Sequence, residues 1–290
     1  MLSICISKHD VAGEAPEALT ALETQVQQWM QSNVNSIYLE DEAGANVHLR
    51  IEDENTIFIG IRHPCLPKSR AVESYHTVDV ANSETIHDVL DSAITFIRSL
   101  SINAPEGPQF TVEFFKIVKN QDGKSKDDTQ CSFKPEGPNL LCDGIVKVTT
   151  SKEVSYGINI RNATDKNLYC HPILYYDCGD LSVESQPQRE VELPANGILG
   201  FAQSGYIPWQ FYLRDGQTTD TGFIKIFVTS SPVTVPETLQ ENPFAKFDVK
   251  RDGLSKGALY DSLVATITFV VDQIPPDGCT LQDELPVFAS

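Results

Sequence analysis

From Val154 to Arg161 apolar and polar residues alternate without a break, Val154, Tyr156, Ile158 and Ile160 interleaving with Ser155, Gly157, Asn159 and Arg161. A period of two is that of a β-strand with one wet face, and such a strand must have its dry face covered by another layer. The polar turn Asn162-Ala-Thr-Asp-Lys-Asn167 follows, and then a second run, Leu168 to Tyr176, whose end reads Tyr175-Tyr-Asp-Cys-Gly-Asp180. The stretch from Val154 to Val183 is predicted to be the central hairpin of a β-sandwich.

The neighbouring sequence extends this pattern. Phe110 to Val118, Gly144 to Thr149, Glu190 to Leu193, Ile207 to Leu213, Gly222 to Thr229 and Leu263 to Val271 are further short strand candidates, separated by Gly, Pro, Asn and Asp turns with no helical stripe among them. Residues 106–274 therefore read as a mainly antiparallel β-sandwich. Upstream the period changes. Ala18, Leu19, Leu22, Val26, Trp29 and Met30 lie at helical spacing, as do Ile86, Val89, Leu90, Ala93, Ile94, Ile97 and Leu100, the second helix being capped by Asn82 or Ser83. Between the helices the runs Ser36 to Glu40, Asn46 to Ile51 and Thr56 to Ile61 suit antiparallel hairpins, and Arg62-His-Pro-Cys-Leu-Pro67 is an irregular loop because its two prolines oppose pairing. Residues 1–105 are read as a small unit of helices and antiparallel sheet, with the boundary at Asn103-Ala-Pro-Glu-Gly-Pro108. The fold class expected is α+β, and residues 275–290 are expected to form a flexible tail.

Charge narrows the partners. Against 22 basic residues stand 40 acidic ones, a net charge of -18, which opposes both nucleic acid and anionic membrane surfaces. The amino-terminal stretch lacks the basic start and apolar core of a secretory signal, and no apolar run has the length of a membrane span. Seven cysteines without close pairing fit reduced thiols in a cytoplasmic protein better than a disulfide framework. The triplet Asn162-Ala-Thr164 is formally a glycosylation acceptor, with little weight outside the secretory route.

Candidate chemistry is sparse. Cys170-His171 pairs a nucleophile with a base, but neighbours on an extended strand face opposite ways. His63-Pro-Cys65 escapes that objection in its loop yet lacks an orienting third group. Cys170, His171, Asp177, Cys178 and Asp180 do not match zinc spacings, and Asp177-Cys-Gly-Asp180 fits a turn better than a calcium loop. The acids Glu40-Asp-Glu42 and Glu52-Asp-Glu54 sit in turns, and the glycines at 197, 200 and 205 precede no helix that could cradle phosphate. No catalytic residue, metal site or cofactor is assigned. The remaining feature is aromatic: Tyr175, Tyr206 and Trp209, with Tyr176 and Asp177, form a candidate binding rim if they meet at one end of the sandwich.

Several segments resemble the region downstream of the peptidase in fungal caspase-domain proteins: Val154-Ser-Tyr-Gly-Ile158, Asn162 with Leu168-Tyr169, Leu174-Tyr-Tyr-Asp177, Asp180-Leu-Ser182, Asp220-Thr-Gly-Phe-Ile-Lys-Ile-Phe227 and Pro243-Phe244. The helix from about Asn82 to Ser99, the strand at Phe110 to Lys116 and the final strand at Leu263 to Val271 occur in the same order, so the resemblance runs from Gln25 to Gln273. The caspase-type domain with its His and Cys dyad has no counterpart here. The resemblance implies a non-catalytic accessory protein that acts through contacts on its β-sandwich, with a caspase-like protease as partner. A lectin-like sandwich that binds carbohydrate through the aromatic and Asp set is the alternative, followed by a cysteine hydrolase using Cys65 or Cys170.

Overall fold

The computed structural model describes residues 2–8, 16–32, 37–39, 44–64, 66, 72–104, 110–119, 133–171, 173–185, 191–200, 208–214, 217–232, 240–244 and 262–276. These residues are mostly β, with seventeen strands in several sheets and two helices. Neither helix is long and apolar enough to cross a membrane.

The chain opens with β1 (Leu2–Lys8), α1 (Pro16–Ser32), β2 (Ile37–Leu39), β3 (Val47–Ile51), β4 (Thr56–Ile61), β5 (Val72–Asp79) and α2 (Ser83–Leu100). The five strands form one sheet in the order β2-β1-β3-β4-β5. Here the expected antiparallel pairing of the first two runs is wrong: β1 lies between β2 and β3 and is parallel to both. The reason is the helix. A strand that leaves into α1 and returns as β2 makes a crossover connection, which places the two strands side by side in the same direction. Strand β1 itself alternates Leu2, Ile4 and Ile6 with Ser3, Cys5 and Ser7 but was not anticipated; Ile4 and Ser3 are both buried because the strand is internal. The β3–β4 hairpin forms as expected around Glu52-Asp-Glu-Asn55, where Asp53 Oδ1 accepts the Asn55 N–H at 2.8 Å.

Helix α2 has the expected bounds and cap, Asn82 Oδ1 accepting the Thr85 N–H at 3.1 Å. Its apolar stripe is buried, and so are Ser92, Phe96 and Ser99 outside that stripe. The helix is covered on more than one side because it lies between two layers: Trp29 of α1 donates to Asp91 at 2.9 Å, while Phe96 meets the Tyr176 ring edge-on at 5.2 Å.

The chain continues as β6 (Phe110–Lys119), β7 (Phe133–Glu136), β8 (Leu141–Cys142), β9 (Ile145–Thr149), β10 (Ser155–Asn162), β11 (Leu168–Cys170), β12 (Leu174–Asp177), β13 (Ser182–Ser185), β14 (Val191–Leu193), β15 (Ile198–Gly200), β16 (Asp220–Thr229) and β17 (Leu263–Ile274). Strands β15-β10-β6-β7 make a four-stranded sheet. The largest sheet runs β13-β12-β16-β17-β9-β8, with β11 pairing β14 and β16. All its pairs are antiparallel except β17 with β9.

Strand β16 is buried at every residue. Phe223 and Phe227 face a cluster that includes both helices, while Ile224, Ile226 and Val228 join the four-stranded sheet in a second cluster with Phe114, Tyr156 and Ile158. Burying each side chain of this size contributes about 1.5–3 kcal/mol. Lys225 lies in this strand with no exposed surface; its ammonium donates to the Leu100 carbonyl at the end of α2, where the helix dipole is negative.

The predicted central hairpin does not form. Strand β10 pairs with β6 and β15, whereas β11 belongs to the largest sheet, so the turn at 162–167 carries the chain from one sheet to another. Asn162 makes that corner. Its amide nitrogen donates to the carbonyls of Lys166, Leu193 and Pro194 at 2.8, 3.3 and 3.0 Å, and its oxygen accepts from the backbone and hydroxyl of Thr164 at 2.9 and 2.7 Å. No other side chain presents two donors and an acceptor at this reach except Gln, which is one methylene longer. The side chain is fully buried, so the Asn162 amide is inaccessible as a glycosylation acceptor in the folded protein. Asn162→Ala removes five hydrogen bonds made by one fully buried side chain and is expected to cost about 3 kcal/mol in urea unfolding. Thr164→Ala should cost much less; equal costs would mean that the corner is not held by Asn162.

Candidate functional site

Strand β12 carries Tyr175 and Asp177 to one face of its sheet and Tyr176 to the other, as alternation requires. Tyr176 has no exposed surface and packs against Phe96, so the two adjacent tyrosines do not share a rim. Tyr206 lies outside the described residues, as does Cys65. Tyr175, Asp177 and Trp209 do come together, with Phe211, Tyr212, Arg214, Asp180, Asp220 and Gln273, around a cleft of about 440 Å³.

Three backbone arrangements build it. After Asp177 the chain reverses so that Asp177 Oδ1 accepts the Asp180 N–H at 3.0 Å, which brings both carboxylates to the same end of the sheet. Strand β16 begins beside them with Asp220. Its Gly222 is opposite Asp177, and a methyl there would approach the Tyr175 Cζ to 2.6 Å, so the bare backbone is what lets the ring lie across β16. The third part is the segment 208–214, a strap rather than the expected strand. Trp209 exchanges backbone hydrogen bonds with Tyr156 at 2.8 and 3.0 Å, and the Phe211 carbonyl accepts from Ser151 at 3.1 Å. Phe211 then fills the space between the sheets, its ring edge-on to Tyr175, Tyr156 and Trp209 at 5.9, 5.7 and 6.4 Å. Trp209 itself is only 8% exposed and stacks on Phe114 at 6.0 Å, while Tyr212 is 71% exposed at the mouth.

Arg214 closes the strap onto the sheet. Its guanidinium bonds Asp177 at 2.7 Å and Asp180 at 2.5 Å, with Asp220 at 3.4 Å. Burial alone would make the cation less stable, but Asp177 and Asp180 more than offset this and hold its pKa above the ordinary value. On the far side of Asp180, His76 of β5 reaches the other carboxylate oxygen at 2.8 Å and stacks on Phe244 at 4.5 Å, tying the first sheet to the same turn. One guanidinium serves three carboxylates, and Asp220 is the least exposed of them. Burial first, then the charge of Asp177, pushes its carboxyl up from 3.8 to about 6. The Tyr175 hydroxyl, buried beside Asp177 and Asp220, is likewise held well above its ordinary value and accepts from Gln273 Nε2 at 2.8 Å.

Arg214, Asp220, Gln273, Glu184 and His76 were not among the candidate site residues of the sequence. One signal was available: an Asp at the start and a Lys in the middle of a strand otherwise apolar, Asp220 to Thr229, mark buried charges that need partners.

The cysteine candidates are placed elsewhere. Cys170 and His171 are both buried and do not face one another. Burial pushes the thiol up to about 12 and the imidazole down to about 4, and the His171 Nε2 is paired with the Thr229 hydroxyl at 2.7 Å. Burial therefore disfavours a thiolate at Cys170 near neutral pH. His63 packs edge-on to Phe223 at 5.4 Å, and burial holds it down to about 4. Among the described residues no group of His, Cys, Asp and Glu side chains could hold a metal ion. No family model, curated protein or solved structure matches the chain.

Two outcomes check this electrostatic picture. Because folded Asp220 holds its proton more tightly than the unfolded chain does, its contribution to stability declines as pH rises from about 4 to about 6 and is level above, a loss on the order of 2 kcal/mol. Asp220→Asn should flatten that part of the stability profile measured by urea unfolding; an unchanged slope would refute the raised carboxyl. In native protein near neutral pH, an alkylating reagent read by peptide mass mapping should modify exposed Cys142 ahead of buried Cys5, Cys170 and Cys178. Preferential labelling of Cys170 would reopen it as a nucleophile.

Proposed function

We propose that this chain is a non-catalytic recognition protein in which a small α+β unit (residues 1–105) braces a β-sandwich (residues 106–274), and that the cleft under the strap receives part of a protein partner. The observation that carries the reading is how the cleft is built. Its walls are locked by Arg214 among three carboxylates and by the ring contacts of Phe211, and its mouth presents Tyr212. Such a site has little side-chain freedom left to lose on binding, and an exposed aromatic beside buried ones is the composition of an interface anchor. The resemblance to the region downstream of the peptidase in fungal caspase-domain proteins makes a caspase-like protease in the cytoplasm the partner to test first.

A second reading is carbohydrate binding. Tyr212 is the ring on which a sugar would stack, with Glu184 and Gln210 on the same cleft as hydrogen-bonding groups. Burial of the Cys170 thiol weighs against the hydrolase reading.

Co-purification with a candidate caspase-domain protein and a glycan array separate the two. Partner capture that falls about tenfold on Tyr212→Ala, with an unchanged melting temperature, is the expected result. Capture that is indifferent to Tyr212 removes the cleft from the interaction; a blank protease arm with a saturable glycan replaces the first reading by the second.

A further inference from the structure

The polar groups that line the cleft are strongly unbalanced. Among the described lining residues, Asp177, Asp180, Glu184 and Asp220 contribute four carboxylates and Arg214 is the only cation. That guanidinium is shared among Asp177, Asp180 and Asp220, so negative charge remains. Glu184 is exposed on the edge strand β13 and has no ion pair among the described residues. An independent observation comes from Gln273. The residue is 4% exposed and lines the cleft, and its Oε1 has no hydrogen-bond partner among the described residues. Its orientation is set by its amide nitrogen, which donates to the Tyr175 hydroxyl at 2.8 Å and to Asp220 Oδ2 at 3.3 Å; the reverse orientation would set an oxygen against a carboxylate. A buried acceptor without a donor costs about 1–3 kcal/mol, which a ligand that donates would recover.

The geometry points to an arginine side chain of the partner polypeptide as the group this cleft receives. This deepens the recognition reading and rests on it. A guanidinium is planar, carries five donors and no acceptor, and is less strongly hydrated than an ammonium, so its chemistry suits a lining that combines the exposed Tyr212 ring with the acceptors of Glu184, Asp177 and Gln273. Neutral polyols would satisfy the acceptors but leave the charge, and an anionic group would add to it. Arg214 already shows the chemistry in cis, one guanidinium held by several of these carboxylates. The partner's arginine would occupy the remaining, outer part of the same acidic surface.

The test uses the intact protein and three capped tripeptides of the form Gly-X-Gly, with X as arginine, citrulline or glutamate, titrated by calorimetry at low and high salt. Citrulline keeps the shape and loses the charge. Saturable binding of the arginine peptide is expected, about tenfold tighter than citrulline and weakened by salt. Glu184→Gln and Tyr212→Ala, both on exposed side chains, should each weaken it severalfold without altering the melting temperature. Equal binding of arginine and citrulline, or preference for glutamate, overturns the arginine assignment. If no peptide binds while the caspase-domain partner is still captured through Tyr212, the assignment fails and the recognition reading stands; if neither binds, both fail.

Discussion

Strand β16 is buried on both faces for its whole length, and the remaining layers are consequences of that. A strand of this kind needs a cover on each side. The four-stranded sheet supplies one and α2 the other, with the five-stranded sheet and α1 behind it. The charge at Lys225 adds a directional requirement, because an ammonium in such a place must meet an acceptor. The free carbonyl of Leu100, at the negative end of α2, meets it. The helix is therefore located not only by apolar area, which is indifferent to small slides, but by one hydrogen bond at a fixed point of the central strand.

At the other end of β16 the same economy produces the cleft. Asp220 is carried into a nearly dry position by the strand that contains it, and Asp177 and Asp180 arrive there through β12 and its turn. Three carboxylates so close would repel one another if nothing intervened. Arg214 intervenes, and in doing so pins the strap whose other end is held on Tyr156. The joint is therefore structural in origin. It leaves behind an acidic, acceptor-rich surface because one cation cannot neutralise three acids, and that residue of charge gives the cleft its chemical preference.

The helices, most strand positions and their wet and dry sides were legible because they depend on periods of 3.6 and 2, which survive in a single sequence. Asn82 as a cap and the buried stripe of α2 are cases in point. Strand β1 carried the same alternation, but both of its faces are covered, so its serines and cysteine blurred the pattern. Tyr175, Asp177 and Trp209 could be named as neighbours in a rim only by guessing that the ends of two segments meet. Tyr176 was included although alternation itself sends it the opposite way.

What the residues alone determined is therefore local: which segments extend, which coil, which side of each is dry, and that a net charge of -18 disfavours polyanions. Only the tertiary structure decided that β10 and β11 part at Asn162 instead of pairing, that β1 separates β2 from β3, and that Arg214 meets Asp177, Asp180 and Asp220. Pairing partners are chosen by competition among all strands for the same edges. The outcome depends on long-range burial and on where buried charges find partners, quantities that no window of sequence contains.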